Sequence, residues 1–162
     1  TPVLVPIPGI PTPADKWTDV EAGDWHTCAI HSDKSLYCWG HNYYGQLGNG
    51  TAVNKKTPEK IGTREWSSVA TGNYHTCGIS SSAGNAVFCS GFNYFGQLGN
   101  NTHADSLTQI LIKGSWTGIS AGADYTCGIK SDGKIFCWGY NASGAIGNGT
   151  SWREEPLKVT IP

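Results

Sequence analysis

A chain of 162 residues with twelve acidic against eleven basic side chains, a net charge of −1, is long enough for one ordinary domain and shows no basic stripe of the kind that marks a nucleic-acid binder. No apolar run approaches the ~20 residues of a membrane span, and no leader pattern opens at Thr1, which reads as a processed product or a piece of a longer chain. Twenty-two glycines, abundant Asn, Ser and Thr, and short alternating apolar runs instead of helix-period stripes point to an all-β chain rich in turns.

The first segment, Thr1-Pro-Val-Leu-Val-Pro-Ile7, reads as an edge strand, because Pro2 and Pro6 are tolerated there and not in a central ladder. Pro11 and Pro13 then make a stiff connector. From Trp17 a pattern begins that occurs three times: a Trp with a small-residue step, an aromatic or His before Thr-Cys, a second Cys, and a Gly-Asn loop. Trp17, Trp66 and Trp116 lie 49 and 50 residues apart, which marks a repeat architecture. The units are residues 1–16 (connector), 17–65, 66–115 and 116–162. Within the first, strands are predicted at Trp17–Ala22, Trp25–Ile30, Ser35–Gly40 and Pro58–Ile61, the glycine-rich Gly45-Gln-Leu-Gly48 joining the last two. The fourth-strand pattern recurs at Thr57–Ile61, Ser106–Ile110 and Glu155–Ile161. Thr1–Ile7 resembles it too, one strand of this type more than the three repeats need.

The cysteines pair as Cys28/Cys38, Cys77/Cys89 and Cys127/Cys137, each bracketing a turn signal. Gly133 in Lys130-Ser-Asp-Gly-Lys134 can take the positive φ of a tight hairpin loop. If Cys127 faces Cys137, Ile129 faces Ile135, and in the first repeat Ile30 faces Leu36. The second pair is spaced by 12 residues, not 10, and two extra loop residues keep every side chain on its face. Facing positions lie within disulfide reach, so three cross-strand disulfides are predicted, and with them an oxidising compartment: secreted, periplasmic or cell-surface. A metal site would want C-x-x-C pairs or suitably spaced His, and neither is present.

Four antiparallel strands in about 50 residues is the size of a propeller blade. The pattern W..V.AG..HTCAI…LYCWG.N.YGQLGNGT resembles the repeat of the regulator of chromosome condensation family, over about residues 14–162. The paired cysteines resemble the variant of its secreted, mostly bacterial members. The resemblance implies propeller-type blades and, through relatives that act as binding proteins, a binding role. The nuclear member's nucleotide exchange and chromatin binding do not fit a near-neutral chain with disulfides. Three blades are too few for a ring of four to eight. Three readings stand: head-to-tail assembly with Val3, Leu4, Val5 and Ile7 donated as a strand to a neighbouring copy, a fragment of a longer propeller, or two chains closing six blades.

No catalytic, cofactor or metal constellation is expected. His26, His75 and Tyr125 share one repeat position and read as struts to a neighbouring blade; His31, His41 and His103 read as surface. The glycines around Gln46 lack the Lys-Ser/Thr of a phosphate loop, and Asp33 and Asp132 read as turn formers. Asn49, Asn100, Asn141 and Asn148 head N-x-S/T sequons and are candidate glycan acceptors. Tyr43, Tyr44, Tyr94, Phe95 and Tyr140 follow the third strands and are candidate contacts to a protein or glycan; Trp39 and Trp138 are expected to pack between blades. The leading expectation is a non-enzymatic extracellular subunit that self-associates, and the alternative is a secreted recognition module.

Overall fold

The computed structural model describes Val3, residues 16–147 and residues 152–159, the last with side chains from 155 onward. These residues form three four-stranded antiparallel sheets. The first holds β1 (Trp17–Ala22), β2 (His26–His31), β3 (Leu36–Gly40) and β4 (Lys55–Lys60) in sequence order. The second holds β5 (Trp66–Thr71), β6 (His75–Ser80), β7 (Ala86–Gly91) and β8 (Ser106–Ile112). The third holds β9 (Trp116–Ala121), β10 (Tyr125–Lys130), β11 (Ile135–Tyr140) and β12 (Trp152–Lys158). The sheets do not close into a ring.

Register follows from the hairpin turns. Cys28 faces Cys38, Cys77 faces Cys89 and Cys127 faces Cys137 in the ladders, and all three pairs are disulfide-bonded with Cα atoms 4.1–4.2 Å apart. Asp33 Oδ1 accepts from Ser35 N at 2.9 Å and Asp132 Oδ1 from Lys134 N at 3.1 Å, which are Asx turns. The Ser35 backbone N–H, and next the His31 ring, hold the Asp33 carboxyl down at about 2. In the second hairpin a short 3-10 turn, Ser81–Ala83, takes up the two extra residues without changing the facing relation.

The fourth strands differ from expectation at their ends. β4 begins at Lys55, three residues before Pro58, and β12 covers Trp152–Lys158, not Glu155–Ile161. An outermost strand exposes one face, so Lys55 and Lys56 join the ladder without the apolar alternation that marks an inner strand. Each sheet has its own fourth strand, so none awaits a donated one. Val3 is 83% exposed, and Leu4, Val5 and Ile7 lie outside the described residues.

Sheets stack face to face through their inner strands: β1 and β2 against β5, and β5 and β6 against β9. Each interface joins the trailing face of one blade to the leading face of the next. In the first, Cys28, Ile30, Leu36, Cys38, Leu47 and Ile61 meet Trp66, Val69 and Phe88. In the second, Cys77, Ile79, Val87, Cys89 and Leu98 meet Trp116 and Trp138. Two-residue alternation makes this possible, since it places Cys and Ile of the second strand on one face and the intervening Thr and Gly on the other. Glycine is required at 78 and 128, where a Cβ would sit 2.8 Å from the ring of Trp66 or Trp116.

Candidate interaction surfaces

The recurrent His-Thr-Cys position is a strut. His26 Nε2 lies 2.7 Å from Thr76 Oγ1 and His75 Nε2 lies 2.9 Å from Thr126 Oγ1, each joining one blade to the next. Thr126 Oγ1 donates to Gln97 O at 2.9 Å, so it accepts from His75, whose ring therefore carries its proton on Nε2. Burial, and next the neighbouring His41, brings the His26 pKa down to about 4; burial, and next His26, brings His75 to about 3. Both rings are neutral structural groups. Gly72 precedes His75 because a Cβ there would meet the His75 ring at 2.3 Å, and Gly23 precedes His26 because a Cβ there would meet Gly72 O at 2.3 Å and the His26 ring at 3.2 Å.

The Gly-Asn loops are organised by a buried asparagine. Asn42 Oδ1 accepts from Leu47 N, and its Nδ2 donates to Asn49 Oδ1 and Thr51 O; Asn93 does the same with Leu98, Asn100 and Thr102. Thr51 and Thr102 hydroxyls donate to the Asn49 and Asn100 side chains at 2.9 Å. Two of the sequons thus coincide with a turn in which asparagine and threonine hold each other. Asn141 occupies the Asn42 position, is 2% exposed, and accepts from Ile146 N at 2.7 Å. It is a loop organiser and not an accessible glycan acceptor, which corrects the sequence reading. Asn148 lies outside the described residues.

The candidate aromatics come together as one surface. Tyr43 stands edge-on to Tyr44 with ring centroids 5.1 Å apart, and Tyr94 stands on Phe95 at the same distance and the same 86° angle. Tyr44 continues to Phe92 at 4.9 Å and Phe95 to Tyr140 at 4.7 Å, so rings run across all three blades. Tyr43 and Tyr94 are 68% and 66% exposed. Tyr44 and Phe95 are half-buried and act as the floor on which the outer rings stand. Tyr74 and Phe92 belong to this surface and were missed: Tyr74 comes from the turn before β6, and only interblade packing brings it 5.2 Å from Tyr44. The signal available was the aromatic or His preceding each loop asparagine, at His41, Phe92 and Tyr140. Tyr140 thus matches Phe92, not Tyr94.

Two of the three histidines expected at the surface, His31 and His41, and one tryptophan need correction, while His103 is where the sequence placed it. His31 is buried against Trp17 and Tyr37, and His41 is half-buried beside Gln46 Nε2 at 2.8 Å; His103 is exposed, at 2.8 Å from Tyr94 O. Trp138 is fully buried between blades and donates to Gln97 O, but Trp39 is only half-buried on the open leading face of the first blade, 6.2 Å from Trp17. The same residue type at the same repeat position differs because no described blade precedes the first.

Among the described residues no group of three or more His, Cys, Asp or Glu is placed to hold a metal ion, and no helix is long and apolar enough to cross a membrane.

Four-stranded blades stacked by their inner strands, with a Trp closing each interface, define a propeller-type repeat protein. The Regulator of chromosome condensation (RCC1) repeat matches residues 17–46, 66–97 and 116–145, and the chain belongs to that family. It is 35% identical over 149 residues to the ultraviolet-B receptor UVR8 of Arabidopsis thaliana, covering 88% of this chain and 34% of the receptor. It resembles the crystal structure of Prp20p from Saccharomyces cerevisiae, described together with its binding to Gsp1p and histones, with a TM-score of 0.79 at 18% identity over 90% of this chain and 38% of that one. It also resembles the ectodomain of the Arabidopsis thaliana receptor kinase ACR4, with a TM-score of 0.51 at 27% identity over 81% of this chain and 39% of that one. The chain spans little more than a third of the length of these proteins.

Proposed function

We propose that this chain is a non-enzymatic, protein-binding propeller module of an oxidising, extracellular compartment, and that its two open blade faces are closed by copies of itself, head to tail. The carrying observation is repeat equivalence. The leading face of the first blade carries half-buried Trp17 and exposed Val20 beside buried Tyr37, at the positions of the Trp66, Val69 and Phe88 that seal the first interior interface. The trailing face of the third presents Cys127, Ile129 and Ile135, which match the Cys77, Ile79 and Val87 that receive Trp116 in the second. Ile129 and Ile135 are 42% and 45% exposed where Ile79 and Val87 are 2% and 0%. A heterologous contact of this kind adds copies until the interblade rotation closes a ring, and propagates where it does not close. Three disulfides support the compartment, and the ectodomain likeness agrees with it. A strand donated by residues 3–7 would add a fifth strand to the edge of a sheet that already has four, so the reading rests on the faces.

Light scattering on the full chain tests this. The mass is expected to rise with protein concentration and to persist when residues 1–13 are deleted; a single-chain mass at every concentration rejects self-assembly. The aromatic surface favours a second reading, recognition of a protein or glycan from the loop end. In that case Tyr43→Ser with Tyr94→Ser abolishes partner capture while leaving the mass distribution unchanged.

A further inference from the structure

The net charge of −1 conceals a strong polarity. The end of the blades that carries the β2–β3 hairpins collects basic side chains that lie far apart in sequence. Lys34 and Lys134 sit in the hairpin turns. Lys16 is tied to the first hairpin through Ser32 N, and Lys60 pairs with Tyr37 at the close of β4. Arg64 and Lys113 lie in the links that lead into β5 and β9. All six are exposed. The acidic groups in the hairpins and links are Asp33, Glu65 and Asp132, and Glu59, next to Lys60 in β4, pairs with Lys55 at 2.7 Å. Asp33 is engaged with His31 and Ser35 N, Glu65 pairs with Lys34 at 3.3 Å, and Asp132 pairs with Lys134. An excess of positive charge remains on one end.

Two interblade grooves open on this surface at equivalent places. The first, about 320 Å³, is lined by Gly48, Asn49, Thr108, Gln109 and Arg64. The second, about 550 Å³, is lined by Gly99, Asn100, Asn101, Lys113 and Lys130, with Glu155 as its one carboxylate. Each offers amide or hydroxyl groups beside a cation. In the first, the Arg64 guanidinium lies 4.2 Å from the Phe88 ring and donates to Gln109 Oε1 at 3.0 Å; in the second, the Lys130 ammonium lies 4.1 Å from the Phe136 ring. The cations are therefore held in place instead of swinging in solvent.

We infer that this hairpin end binds a linear anionic polysaccharide, whose sugars lie in the interblade grooves and whose acid groups meet Lys16, Lys60, Arg64 and Lys113. Cations one repeat apart do not converge on a small anion, but a polymer with periodic charge engages them together and gains by multivalency. Amide-lined grooves suit sugar hydroxyls. Nucleic acid fits worse, because single-strand binding rests on aromatic platforms. Here Trp66 and Trp116 are buried, while exposed Trp25, Tyr43, Tyr94 and Tyr140 stand at the opposite end. The inference is independent of self-assembly, since the blade faces that stack are not the end that binds.

The test is binding of the full chain to immobilised polygalacturonate, a carboxylate polymer, and dextran sulfate, a sulfate polymer, with neutral dextran and duplex DNA alongside. Retention is expected on one or both acidic polysaccharides and not on neutral dextran, and the stronger of the two identifies the acid group. The double variant Lys60→Glu with Lys113→Glu, both exposed, is expected to weaken binding about tenfold or more, and added salt is expected to weaken the wild type, as screening of surface charge requires. Equal retention on neutral dextran, equal or stronger binding to DNA, or undiminished binding by a folded double variant overturns the proposal. If the variant does not fold, the polymer comparison on the wild type decides alone.

Discussion

Trp116→Ala is expected to lower stability by about 3–5 kcal/mol, the range for deleting a large aromatic from a packed core, and the thermal midpoint by about 10 °C for a chain of this size. Trp116 is 1% exposed and lies 5.7 Å from Trp138 and 5.9 Å from Phe136, in the interface between the second and third blades. Trp66→Ala is expected to cost as much, since Trp66 fills the other interface. Trp17→Ala in a dilute, monomeric sample is expected to cost much less, because Trp17 keeps its contacts with Tyr37 and Trp39 but has no described blade across from it. Stability in stacked repeats is a sum of unit and nearest-neighbour terms, so the residue's value depends on whether a neighbour is present. Calorimetry on the three variants at one low concentration checks this; equal losses at all three positions contradict it.

The second large effect is in pH. His26 and His75 titrate near 6.5 when unfolded, but near 4 and near 3 when folded, chiefly because burial penalises the charged ring. The unfolded chain therefore binds more protons between those values. Stability from these groups is full above about pH 6.5 and is lost as pH falls toward 4 and then 3, on the order of 3–5 kcal/mol per histidine at ~1.4 kcal/mol per unit. Asp124, whose carboxyl burial and Asp24 push upward, works in the opposite sense near the bottom of that window, since its protonation favours the fold. His75→Gln keeps a side-chain donor for Thr126 and removes the titration. Urea unfolding from pH 7 to pH 4 is expected to show a steep loss for the wild type and a shallower one for this variant. A slope unchanged by His75→Gln contradicts the assignment of that loss to the strut.

What could be read before folding, and what could not, divides along physical lines. The hairpin cores were legible because disulfide pairing, a two-residue period and a turn glycine all constrain one register: Cys127 against Cys137 carries Ile129 against Ile135 with it. The ends of β4 and β12 were not, because an outer strand such as Lys55–Lys60 has one solvated face and no clean alternation. The equivalence of Trp39 and Trp138 misled, since repeat position predicts a residue's orientation but burial depends on the neighbour. Asn141 heads a sequon and yet lies inside its loop, for the same hydrogen-bond reason as Asn42 and Asn93. Tyr74 and the basic hairpin end are products of stacking: the groups come from different blades and meet only once the blades are side by side.

In the head-to-tail assembly proposed above, a leading face fits a trailing face one way only. Trp17→Asp spoils the first and leaves the second; Ile129→Asp does the reverse. Sedimentation equilibrium on each variant alone and on their equimolar mixture reads this directly. Each alone is expected to remain a single chain, and the mixture to form a dimer and nothing larger, because one intact leading face then meets one intact trailing face. A mixture that stays at the mass of one chain, or either variant assembling alone as the wild type does, would contradict head-to-tail closure.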